Sequence, residues 1–299
     1  MIKVGNAPCS WGVLEFELEG ETAGYEQFLK ELKDTGYEGT ELGDWGYMPT
    51  DPAKLREELT SREIDLVGAF VPVALCDENA HAEGIEVGIK TAKLMADAGF
   101  KDAFIVLADN NGSVPARTKA AGRVTPDLLL PEEGWKNVRA GVESFARQVR
   151  DKTGLRTVFH HHCAGYVETP GEIERLLMDT PADALGLVLD MGHYRFGGGY
   201  PEAAIKLFWD RIQHIHYKDC SAAVAAASRE KGWDYFESVQ NGVFCELGKG
   251  VVDFEAITQE IRRRNYEGWI VVEQDVLPGM GSPVDCARRN REYLKSLGL

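Results

Sequence analysis

Short, almost continuous apolar runs alternate with longer amphipathic stretches along the whole chain. The runs Ile2–Asn6, Gly39–Leu42, Asp65–Pro72, Ala103–Leu107, Arg156–His160, Gly186–Asp190, Ile212–His216 and Trp269–Glu273 are rich in Val, Ile and Phe. That is the pattern of strands buried on both faces of a parallel sheet. Between them a 3.6-residue period predicts helices over Tyr25–Thr35, Pro52–Arg62, Ile85–Ala98, Glu132–Lys152, Pro170–Met178, Pro201–Trp209, Phe254–Arg264 and Asp285–Ser296. Eight strands, each followed by a helix, predict an α/β fold: a closed (β/α)8 TIM barrel forming one domain over residues 1–299.

Local signals agree with this segmentation. Thr50-Asp51-Pro52 and Thr169-Pro170 place a capping side chain ahead of a proline suited to a first helical turn. Gly36-Tyr37, Gly99-Phe100 and Asn265-Tyr266-Glu267-Gly268 mark helix ends, where the chain turns left-handed before re-entering the sheet. No GxGxxG follows the first strand, no Walker loop is present, and Gly197-Gly198-Gly199 reads as a turn. Two connections, Ala108 to about Pro131 and Asp219 to about Gly250, exceed an ordinary βα loop. Loops of that length in a compact domain are usually functional, and in a barrel they border the C-terminal face where active sites form.

Composition narrows the class. The 299 residues carry 33 Lys+Arg against 48 Asp+Glu, a formal charge of −15, which disfavours nucleic acid. No run of about 18 apolar residues and no signal-peptide pattern occurs, so neither a membrane span nor ordinary secretion is expected. The six cysteines form no CxxC pair, which fits a reducing cytoplasm. Arg117, Lys119 and Arg123 in the first long loop read as a solvated basic stretch, with a phosphate clasp as the alternative.

The histidines carry the chemistry. Six of seven (His160, His161, His162, His193, His214, His216) lie within residues 160–216, and His81 reads as a surface residue. By the period of two, His214, His216 and Lys218 share one face of the seventh strand, and His160 and His162 share one face of the fifth. His161 takes the opposite face, toward the helices. Asp190 and Glu273 close the sixth and eighth strands. Asp190, His216 and Glu273 with one fifth-strand histidine make an N2O2 set suited to a divalent first-row metal.

The phrases Val158-Phe159-His160-His161-His162, Leu189-Asp190-Met191-Gly192-His193, His214-Ile215-His216-Tyr217-Lys218-Asp219 and Gly268-Trp269-Ile270-Val271-Val272-Glu273-Gln274 resemble the xylose-isomerase-like barrel superfamily. The triple histidine, the Gly242–Phe254 phrase, Asn6–Gly12 and Glu41–Pro49 are most similar to its inosose dehydratase branch. The resemblance implies a Mn²⁺- or Co²⁺-dependent lyase, with Zn²⁺ as a further candidate, that removes water from 2-keto-myo-inositol. It implies Asp190, His216 and Glu273 as metal ligands. The family's usual fourth ligand is a fifth-strand Glu, which this chain lacks; His160 takes its place, with His162 as competitor. With that carboxylate gone, the symmetric Glu/Glu proton relay of the epimerases is broken, and an unequal imidazole–carboxylate pair suits an elimination better.

The expected mechanism has His162 or Glu273 as base and His193 or Lys218 as acid. Asn6, Trp11, Glu41 and Glu246 are the expected substrate-binding groups. Some dehydratases of this group carry a basic residue on the third strand, where this chain reads Gly68-Ala69-Phe70-Val71-Pro72. The rivals are a ketose isomerase or 3-epimerase, a dehydroshikimate dehydratase, a non-catalytic sugar-binding barrel and, least favoured, a metal-dependent endonuclease. Barrels of this type pair through helices and loops near the mouth, so a homodimer is expected.

Overall fold

A computed structural model describes residues 1–13 and 23–299. Eight parallel strands close into a barrel: β1 (Ile2–Asn6), β2 (Gly39–Glu41), β3 (Asp65–Val73), β4 (Phe104–Asp109), β5 (Arg156–His160), β6 (Leu185–Asp190), β7 (Ile212–Tyr217) and β8 (Gly268–Val272). Each pairs with its sequence neighbours, and β8 closes on β1 with Ile2 opposite Gly268 and Asn6 opposite Val272. Every residue of β4 and β6 is buried, as strands covered by helices outside and packed side chains inside require.

The predicted helices form with their signals intact. Asp51 accepts from the Lys54 N–H at 2.8 Å, and Thr169 forms a capping box with Glu172. Gly36 and Gly99 adopt φ of 87° and 99°, the left-handed exit that glycine permits. The third helix starts at His81 rather than Ile85, because its first turn is largely solvated and its apolar stripe begins only at Ile85. The closing helix starts at Pro283, capped by Ser282.

The main core lies between barrel and helices. Phe28, Leu32, Leu55, Phe145, Leu176 and Ile257 meet Ile105, Leu187, Leu189 and Ile270 there. Each such fully buried side chain contributes about 1.5–3 kcal/mol. Inside the barrel, Phe104, Val106, Val158 and Val188 form a smaller cluster against Phe70.

The two long connections are not bare loops. The first holds the helix Pro115–Lys119. The second holds the helices Ala222–Lys231 and Tyr235–Gln240 and a two-stranded ribbon of Asp219–Cys220 with Phe244–Cys245. They share a satellite core of Ala121, Cys163, Phe196, Tyr235, Val243 and Phe244. Asp219 organises the ribbon by accepting the N–H groups of Cys220, Gly248, Gly250 and Val252 at 2.8–3.1 Å. A Cβ at Gly250 would lie 2.2 Å from its carboxylate, which accounts for glycine there. Among the described residues, no helix is long and apolar enough to cross a membrane.

Candidate active site

The strand ends converge at the C-terminal mouth. One oxygen of Asp190 caps the helix Met191–Phe196, accepting from the His193 N–H at 2.7 Å, while the backbone N–H of Asp190 donates to His161 Nε2 at 3.2 Å. Its other oxygen, Oδ2, lies 3.8 Å from His160 Nε2 and 3.8 Å from His216 Nδ1. Glu273 follows the last residue of β8, and its Oε1 is 3.3 Å from His216 Nδ1. One ligand atom from each of His160, Asp190, His216 and Glu273 lies within 4.8 Å of the others.

The four residues fit a divalent cation. Asp190 Oδ2 and His216 Nδ1 are buried polar atoms that make no hydrogen bond, although buried polar groups are normally paired. They face the same small volume, and the mixed imidazole–carboxylate set suits a first-row metal. His160 joins these residues; His162 lies outside the set. Burial pulls the His216 imidazole down, but Glu273 and Glu41 outweigh it and lift it to about 9. Burial raises the Asp190 carboxyl to about 6 against the pull of Lys218. Burial and the surrounding histidines hold His160 well below the ordinary imidazole range.

Beside the donor set a cavity is lined by Phe70, His160, His162, Lys218, Glu273 and Asp275, with Pro8, Cys9 and Asp44 also on its wall. Lys218 Nζ sits 3.2 Å from Glu273 Oε2 and 3.2 Å from Asp275 Oδ1. Burial opposes its charge, yet Asp275, Glu273 and Asp190 keep the ammonium well above its usual range. Its side chain passes where a Cβ on Gly192 would stand, 2.6 Å from Lys218 Cγ, so the glycine of Asp190-Met191-Gly192-His193 makes room for it. His162 Nδ1 lies 2.7 Å from the Cys163 carbonyl oxygen, which only an N–H can approach as donor, so Nε2 bears the lone pair.

His193 is one layer back from the cavity. Its ring lies tilted against that of His162 with centroids 4.0 Å apart, Nδ1 accepts from the Cys163 N–H, and Nε2 is 3.3 Å from Lys218 Nζ. Burial and its neighbours hold this imidazole well below its ordinary range, and hence neutral.

Other expected positions fall elsewhere. Trp11 is buried against Phe28 and donates to Glu31 Oε2 at 2.7 Å, so it packs a helix and does not border the cavity. Asn6 is fully buried and is also absent from the cavity wall. Glu246 forms a bidentate pair with Arg289 at 2.9 and 2.6 Å and does not line the cavity. Glu41 borders the cavity, but its Oε1 accepts from His214 and His216.

Arg117 is neither solvated nor a phosphate clasp: it is buried and bidentate on Glu172, with Nη1 and Nη2 each at 3.0 Å. Arg123 donates to the Trp233 carbonyl and so ties the two long connections together. His81 is half-buried, its Nε2 2.8 Å from the Leu75 carbonyl oxygen. His161 packs edge-on against Tyr194, behind the strand as expected, and braces Asp190 besides.

Asp275 and Tyr235 were missed. The first is legible as the next inward position after Glu273. The second, whose hydroxyl lies 3.4 Å from His162 Nε2, comes from an insertion helix with no sequence signal tying it to the site.

A family model described as a xylose isomerase-like TIM barrel matches residues 29–297. An inosose dehydratase of Lacticaseibacillus casei is 30% identical over 294 residues, covering 98% of this chain and 96% of that protein. Among solved structures, the probable 3-DHS dehydratase AsbF of Bacillus anthracis superposes with a TM-score of 0.68 at 18% identity, covering 98% of each chain. An IOLI protein solved with a binding zinc atom gives 0.72 at 16% identity, covering 99% of this chain and 97% of that one. Barrel closure, the strand-end residues and the near-full-length matches converge on one conclusion: the chain belongs to the xylose isomerase-like TIM barrel family.

Proposed function

We propose that the protein is a metal-dependent dehydratase that removes water from a cyclic keto-polyol, with 2-keto-myo-inositol as substrate. The observation that carries this reading is the unequal pair on the cavity wall, the imidazole of His162 and the ammonium of Lys218, beside a donor set whose fifth-strand member is His160. A proton relay between two equivalent carboxylates would suit an epimerase; a base and a separate acid suit an elimination. The relatives named inosose dehydratase support the same class.

A divalent cation held by His160, Asp190, His216 and Glu273, manganese or cobalt with zinc as a further candidate, would make the carbon beside the ketone more acidic. His162 Nε2 takes that proton. Lys218 gives a proton to the β-hydroxyl as the C–O bond breaks and water leaves. Both oxygens of Glu273 are engaged, one near His216 and one by Lys218, so Glu273 serves as ligand and anchor. His193, behind both groups, positions them. Among the described lining residues Lys218 is the one lysine or arginine, beside Asp44, Glu273 and Asp275, which favours a neutral polyol over a phosphorylated sugar.

The test is a substrate panel on metal-loaded protein. The reading expects 2-keto-myo-inositol to lose water while ketoses show no exchange of carbon-bound hydrogen with solvent. Deuterium incorporation into a ketose without loss of water would instead establish an epimerase. An ultraviolet-absorbing aromatic product would point to dehydroshikimate, and tight polyol binding without turnover to a binding protein.

A further inference from the structure

Strand β2 ends at Glu41, and its pairing with β3 slips there: Thr40 lies opposite Leu66, but Glu41 lies opposite Gly68. Such irregularities re-aim a side chain next to active sites. A Cβ at Gly68 would lie 3.4 Å from the Glu41 carboxyl carbon and 3.1 Å from Val106, so the side chain crosses the barrel interior over a glycine. It ends on β7, where Oε1 is 2.9 Å from His214 Nε2 and 2.8 Å from His216 Nε2. A carboxylate oxygen accepts, so His216 donates Nε2–H, and in the neutral ring that a cation would bind the lone pair falls on Nδ1. That nitrogen is buried, makes no hydrogen bond, and faces Asp190 and Glu273.

We propose that Glu41 is a positioning residue for the divalent cation: it fixes the ring and tautomer of His216 so that Nδ1 is presented as a donor. A carboxylate behind a ligating histidine raises ligand basicity, and its loss typically weakens metal affinity by about 10–100-fold. The inference rests on the metal assignment proposed above and not on the substrate. His214 shares the same oxygen and stacks on Phe104, with ring centroids 5.7 Å apart; it anchors Glu41 and does not ligate. Atoms of Glu41, His214 and His216 also lie within 4.8 Å of one another, so a second ion there is the rival account.

The experiment titrates metal-free protein with Mn²⁺ alone, following free Mn²⁺ by electron paramagnetic resonance, with apo-protein melting recorded for each variant. One ion per wild-type chain is expected. Glu41→Gln should weaken binding by about 10–100-fold, and His214→Gln by much less, although each removes one member of the same buried cluster. Two ions per chain, unchanged affinity in Glu41→Gln, or equal losses in both variants would overturn the inference. Should Glu41→Gln not fold, Glu41→Asp carries the test, with a loss in the same direction expected and unchanged affinity fatal. A wild type that binds one ion tightly but dehydrates nothing would sink the proposed reaction and leave this inference standing.

Discussion

Gly192→Ala separates the placement of Lys218 from everything else in the site. Gly192 is not among the left-handed glycines, so alanine is conformationally acceptable there. The added Cβ would stand 2.6 Å from Lys218 Cγ and 3.0 Å from its Cβ, against an ordinary contact of 3.4 Å or more. Relieving it moves the lysine by most of an ångström, while its ammonium sits 3.2 Å from both Glu273 and Asp275. Misplacing a catalytic group by about 1 Å costs roughly 10²-fold in rate, or about 2.7 kcal/mol of barrier.

Stability should change far less. Overpacking costs about 1–3 kcal/mol, and the better helix propensity of alanine returns up to about 1 kcal/mol. With an unfolding entropy of about 2.1 cal/mol/K per residue, a chain of this length loses only about 1.6 °C of Tm per kcal/mol. The assay measures kcat, bound metal and Tm together. A roughly 100-fold fall in kcat with metal retained and Tm within about 3 °C is expected. Turnover within a few-fold of wild type, or loss of the metal, would refute the reasoning.

Lys218→Gln should keep the metal and lose about 10²–10⁴-fold in turnover, the usual value of a positioned general acid, measured against metal content in the same sample. Arg117→Met should cost about 3–5 kcal/mol in urea unfolding, because it strands the buried Glu172 carboxylate; a cost below about 1 kcal/mol would mean the pair is hydrated. Burial lifts Glu168 to about 7, against the backbone N–H groups of Gly122 and Ala164 that favour its charge. The native state therefore binds the extra proton between the unfolded value near 4.5 and about 7, and stability falls as pH rises through that window and is flat above it. Glu168→Gln lacks that term, so its stability relative to wild type should improve by up to about 3 kcal/mol between pH 5 and 8. A difference that does not change with pH would show that Glu168 titrates normally.

Strand positions were legible because strands buried on both faces leave dense apolar runs, and the inward phase of His214, His216 and Lys218 follows from alternation alone. The clustering of His160, Asp190, His216 and Glu273 follows from the same segmentation, since each lies at or beside the C-terminal end of a strand. What alternation does not specify is the partner across the barrel. Glu41 points inward from β2 as expected, but its partners stand on β7, more than 170 residues away in sequence. Arg117 looked solvated because its partner is 55 residues distant. His193 looked like a cavity residue because sequence does not show that the His162 ring stands in front of it. The long connections read as loops because their helices are short or rich in alanine, with little apolar stripe to detect.

The most direct test of the central claim is the mass spectrum of 2-keto-myo-inositol after incubation with manganese-loaded wild type and with Asp190→Ala. Asp190 caps the helix at His193 with one oxygen and offers the other to the proposed metal site. The account predicts that wild type removes the mass of one water from the substrate, and that Asp190→Ala retains neither metal nor that activity. Undiminished metal content and water loss in Asp190→Ala, or no water loss by a wild type carrying one metal ion per chain, would contradict it.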